Sequence, residues 1–90
     1  MNELEEICVL ALNKYGLQKQ MVKCIEELSE LQKELCKYYL GEDNIRHIIE
    51  EMADVEIMIA QMKIGFNIGI FEVDQVKREK LTRLRGNIRI

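Results

Sequence analysis

Ninety residues with a net charge of −3 leave room for one domain, spanning residues 1–90, and for a core that is marginal in an isolated chain. Residues 1–76 hold 15 acidic and 7 basic groups, which argues against nucleic acid as a partner. The longest clean apolar run, Ile7–Leu12, is far too short to span a membrane.

The remaining composition points to an all-α fold: Leu, Ile, Glu, Lys and Met dominate, Gly is rare, and Pro and Trp are absent. Hydrophobic residues make up 48% of so short a chain, which points to some of them being buried between subunits. Cys8, Cys24 and Cys36 are odd in number and widely spaced. They indicate neither a disulfide framework nor zinc, but buried reduced thiols in a cytoplasmic protein. Met1–Glu6 is acidic, unlike the start of a signal peptide.

In chain order, Asn2 is placed to cap a first helix over 3–15, with Glu3, Glu5 and Glu6 in its first turn and Gly16 at its C-terminus. A second helix is expected over 17–39. Met21, Ile25, Leu28 and Leu35 form its core stripe, interrupted by Gln32, and a separate polar stripe carries Gln20, Lys23, Glu27, Glu30 and Glu34. Tyr39–Asp43 reads as a turn, and Asp43 or Asn44 as the cap of a third helix over 44–66. Ile45, Ile48, Ile49, Met52, Val55, Ile59 and Met62 cover more than one face of that helix, so it should touch neighbours on two sides. Residues 65–69 read as a loop. A fourth helix is expected over 71–85, with Val73, Val76, Leu81 and Leu84 as a weaker apolar face. Residues 77–90 carry six basic groups against Glu79 alone, a tail suited either to solvation or to a phosphorylated ligand.

Two acidic clusters stand out: Glu26-Glu27-Leu28-Ser29-Glu30 and Glu50-Glu51-Met52-Ala53-Asp54. Residues three and four apart share a helix face, so each cluster projects carboxylates in one direction. If the chain reverses near Leu40–Gly41, equal steps back along each arm set Glu27 level with Asp54 and Glu30 level with Glu51. At about 1.5 Å per residue both levels lie roughly 14 to 20 Å from the turn. One such cluster is usually a solvated face. Two at mirrored heights would repel or take up protons unless a divalent cation stood between them. Oxygen donors without His or Cys suit magnesium, with manganese as a substitute. A di-iron centre would want Glu-x-x-His, and His47 precedes Glu50 in the reverse order.

With its flanks, this signature resembles the MazG-like all-α nucleoside triphosphate pyrophosphohydrolases. The matching residues are Lys14-Tyr15-Gly16 and Gln20 ahead of Glu26–Leu31, then Ala53-Asp54-Val55, then Glu79–Leu84, so the likeness covers about residues 13–85. The resemblance implies hydrolysis of a nucleoside triphosphate to the monophosphate and pyrophosphate. Glu27, Glu30, Glu51 and Asp54 would hold magnesium, and Glu26 and Glu50 would assist, one as a base for water. Lys80 and Arg83, favoured over Lys77 and Arg85, would meet the triphosphate, and Gln20 and Lys23 would border the nucleotide. The family builds its core from helical hairpins of different chains, which implies a homodimer or homotetramer. Two alternatives stand beside this reading: a non-catalytic helical oligomerisation or regulatory module, and a hydrolase of another pyrophosphate-containing nucleotide such as phosphoribosyl-ATP.

Overall fold

A computed structural model describes residues 1–89, which form four helices: α1 (Glu3–Tyr15), α2 (Leu17–Tyr39), α3 (Ile45–Gly65) and α4 (Glu72–Ile88). Each boundary has a local cause. Asn2 Oδ1 accepts from the Glu5 amide at 2.8 Å and caps α1. Gly16 ends α1 and starts α2 at φ 87 and ψ 153, a backbone region essentially reserved for glycine, and this permits a one-residue corner between two helices. Gly41 closes α2 at φ 104, where the amides of Gly41 and Glu42 reach back to the carbonyls of Tyr38 and Lys37. Asn67 does the same for α3 at φ 56, with the amides of Asn67 and Ile68 bonded to Ile64 and Lys63.

α2 and α3 form an antiparallel hairpin, tied at both ends. Far from the turn, the Gln20 amide donates to Gln61 Oε1 at 2.8 Å. Near the turn, Asn44 Nδ2 donates to the Glu34 carbonyl at 2.9 Å and to Glu34 Oε1 at 3.2 Å. Gln20 and Gln61 stand equally far from the turn, the same register that sets Glu27 level with Asp54. α3 contacts both α2 and α1, although Ile45, Ile49, Met52 and Ile59 of its broad apolar surface stay 42–49% exposed, and α1 meets α2 around their corner. The absent side chain of Gly65 makes room there: a Cβ would fall 2.5 Å from Leu17 Cδ1 and 3.3 Å from Leu12 Cδ2. Gly65 thus belongs to α3, within the expected helix over 44–66, and serves close packing; the expected loop begins after it.

The interior is unusually polar for its size. Its buried apolar residues are Cys8, Cys24, Ile48, Val55 and Met58, and beside them lie buried Gln20, Glu34, Asn44 and Gln61. α2 turns the Gln20–Cys24–Glu27–Leu31–Glu34 stripe toward α3. The expected core stripe of α2 faces outward instead: Met21 is partly covered, and Ile25, Leu28 and Leu35 are 59%, 47% and 48% exposed. Periodicity separated the two stripes correctly but assigned the wrong one to the intrachain seam. Two smaller expectations also change. Asn44 occupies the capping position of α3, yet its side chain bonds Glu34 across the turn and makes no cap. Cys8 and Cys24 are buried free thiols, Cys8 with its pKa pushed up by burial, whereas Cys36 is exposed.

α4 runs one turn beyond its expected end and makes no backbone contact with the other three helices. Val76, Leu81, Leu84 and Ile88 on it are 46–61% exposed. The chain is correspondingly open. Its radius of gyration is 15.8 Å, against about 12 Å for a compact domain of this length. Its accessible surface is 7466 Å², against about 5,500 Å² for a compact monomer of this mass.

A candidate metal centre in the helical hairpin

The α2–α3 seam brings three carboxylates together. Glu27 comes from α2, and Glu51 and Asp54 come from adjacent turns of α3. One oxygen from each lies within 4.8 Å of the others. Their environments differ. The Glu27 side chain is only 13% exposed and accepts the Lys23 ammonium at 3.1 Å. Asp54 is exposed at the rim. Glu51 Oε2 is buried and has no hydrogen-bond partner. Burial pushes the Glu51 carboxyl above the usual range, and the charges of Asp54, Glu27, Glu30 and Glu34 push it further. This is the penalty expected when carboxylates are gathered without a counter-charge. A divalent cation among the three carboxylates would remove that penalty. The donor set, oxygen only, fits magnesium or manganese.

Glu30 stands outside this triad. Its carboxylate lies 3.0 Å from Lys33 Nζ on the solvent side of α2, although its charge is still felt at Glu51. Glu26 and Glu50 are more exposed still. Glu26 lies 3.9 Å from Lys23, and Glu50 lies 3.4 Å from Arg46. Gln20, Lys23 and Glu26 share a shallow recess of about 530 Å³ with Gln18, Lys19 and Val22, which adjoins the triad through Lys23. In this recess Gln20 is buried, its amide committed to Gln61. Lys80 and Arg83 lie exposed on α4, a helix without backbone contact to α2 or α3. Lys77 pairs loosely with Asp74 at 3.9 Å.

Glu34 was not expected to be a buried seam residue. Its carboxyl is held below the ordinary range, first by the Asn44 hydrogen bond, then by Lys37 and by His47, whose Nδ1 lies 3.9 Å away. The signal was present in the sequence, since Glu34 continues the stripe of Glu27 and Glu30. Likewise Gln61 could have been found as the residue opposite Gln20. A cavity of about 580 Å³ lies elsewhere, on the outward face of α2 among Leu28, Leu31, Gln32, Leu35, Cys36, Tyr39 and Leu40. That lining is almost entirely apolar and offers nothing to a phosphate, unlike the polar seam between α2 and α3.

No helix among the described residues is long and apolar enough to cross a membrane. In comparison with known proteins, the chain matches no family model, no curated protein and no solved structure.

Proposed function

We propose that this chain is a magnesium-dependent nucleoside triphosphate pyrophosphohydrolase of the MazG-like all-α type. One observation carries the reading: an oxygen from each of Glu27, Glu51 and Asp54 lies within 4.8 Å of the others, on a seam where Glu51 also has a buried oxygen without a hydrogen-bond partner. Folding gains nothing from such a cluster, whereas binding a hard cation uses every part of it.

Glu27, Glu51 and Asp54 would hold the ion, and Glu30, released from Lys33, would complete the set. Bound magnesium supplies neutralisation of the phosphate oxygens and makes water more acidic. Water attacks the α-phosphorus in line, the bond from that phosphorus to the bridging oxygen breaks, and pyrophosphate departs beside the new monophosphate. Glu26 or Glu50, both open to solvent, accepts the proton that the water loses. Lys23 borders the triphosphate from the recess beside the triad. No protein nucleophile is needed.

The assembly belongs to the same proposal. The uncovered stripe of α2, the uncovered face of α4 and a surface about 2,000 Å² larger than a compact monomer's fit a homodimer or homotetramer, an interface of obligate size. Lys80 and Arg83, on a helix without backbone contact to α2 or α3, then reach a triphosphate held by a neighbouring subunit.

The test is product analysis with a panel of nucleoside triphosphates and phosphoribosyl-ATP, with and without magnesium. Equimolar monophosphate and pyrophosphate, formed only with the metal, is the expected result. A magnesium-stabilised protein that cleaves none of them would leave a helical assembly module as the better reading.

A further inference from the structure

We infer that Lys23 is an internal counter-ion for the metal centre: its ammonium occupies a metal-facing carboxylate until the cation displaces it, and it then turns to the phosphate of the incoming ligand. This rests on the metal reading above and adds to it how the cation and the anion are coupled.

Among the described residues, one ion pair reaches a carboxylate of the triad. It is Lys23 Nζ to Glu27 Oε1, at 3.1 Å. Lys23 is otherwise held by Glu26 at 3.9 Å, and the field of Asp54, the rim carboxylate on α3, also favours its charged form. Lys23 is therefore the cation in direct contact with the three clustered carboxylates, while Lys33 pairs with Glu30 outside the triad and reaches Glu51 only through its field. A divalent ion bound by Glu27 takes the carboxylate that Lys23 holds, and an ammonium so close to a dication is repelled. The lysine has somewhere to go. Its side chain is 53% exposed, and it lines the recess that also holds Gln18, Lys19 and Gln20. Released from Glu27, the four-carbon stem can carry the ammonium across that recess to a phosphate oxygen, while Glu26 keeps it from swinging into solvent. The two ligands then help each other: the cation frees the lysine for the anion, and the anion keeps the lysine from returning to Glu27.

The opposite signs of two affinities test this. Mn²⁺ binding is measured by calorimetry on the full chain without anion. Binding of inorganic tripolyphosphate is then measured at saturating Mn²⁺. Lys23→Met keeps the stem and removes the charge. It is expected to tighten bare Mn²⁺ binding by about threefold, the scale of an exposed ion pair. It should weaken tripolyphosphate binding by about tenfold, the scale of a charge-assisted hydrogen bond. Lys19→Met, the same charge change in the same recess with no carboxylate partner, should leave Mn²⁺ affinity unchanged. The inference is overturned if Lys23→Met moves both affinities in one direction, if it moves neither, or if Lys19→Met tightens Mn²⁺ equally. A wild-type protein that binds no Mn²⁺ is a different failure, since it removes the metal reading itself.

Discussion

The two long faces of α2 invert the usual order of a helix. The face packed on α3 carries Gln20, Glu27 and Glu34, and the face turned to solvent carries Ile25, Leu28 and Leu35. A chain folded only for its own sake would exchange them. Burying carboxylates costs free energy unless something pairs with them, and leaving leucines half-exposed forgoes hydrophobic stabilisation. On the function proposed above, each face would be completed from outside the chain: the inner one by a cation, the outer one by another subunit.

The outer face offers the sharpest way to break this account. Leu35→Asp would set a charge in the middle of the apolar face. If a second subunit covers it, burial of an unpaired carboxylate should weaken association by several kcal/mol and leave monomers at micromolar concentration, read by sedimentation velocity. If the wild type is itself monomeric under those conditions, the outer half of the comparison fails.

The inner face is tested next. Glu51→Gln keeps the shape and removes the charge whose neighbours disfavour it. Metal-dependent hydrolysis should fall by at least about a hundredfold, since even groups supporting a metal ligand are commonly worth ten- to a hundredfold. In the absence of metal the same substitution should raise the melting temperature at neutral pH, because the raised Glu51 pKa means that ionising it opposes folding. A wild-type metal response that survives Glu51→Gln would place the ion elsewhere.

Much of this was legible in the sequence, and what was not has a physical cause. All four helices were, because capping Asn2, Gly16 at the α1–α2 corner and the turn around Gly41 are local signals. The hairpin register was too: equal steps from one turn predicted the level of Glu27 and Asp54, and the Gln20–Gln61 bond obeys the same rule. The orientation of α2 was not, because the period of a stripe says which residues share a face and not what covers that face. Glu30 has the right residue type and height, yet Lys33 three residues on captures its carboxylate, a rotamer choice that spacing does not determine. Asn44 reads as a cap, and only the tight turn brings it to Glu34 instead.

Acid separates Glu34 and Glu51 of the inner face, with smaller effects. Glu34, whose pKa is lowered, adds stability above its unfolded value, and that contribution disappears as pH falls through its folded value. Glu51, whose pKa is raised, contributes in the opposite sense: its share is complete below the unfolded value and is lost as pH climbs through the folded one. Thermal melts of Glu34→Gln should show a flatter acid limb than the wild type, and those of Glu51→Gln a flatter loss toward neutral pH in metal-free buffer. Identical acid limbs in wild type and Glu34→Gln would mean that the Asn44 bond stores no pH-dependent stability.

The smallest expected effect returns to the outer face. Gln32 is the one amide in the apolar groove, and Gln32→Leu should tighten association by no more than about 1 kcal/mol. Weaker association would show that the amide is paired within the interface.

The most direct measurement is thermal melting of the wild-type chain during titration with magnesium or manganese, beside Glu51→Gln under the same conditions. A cation that binds only the folded seam must raise the wild-type melting temperature with concentration and leave the variant flat. If neither ion shifts the wild type, the carboxylates of Glu27, Glu51 and Asp54 are not a metal centre, and the proposed hydrolase is wrong.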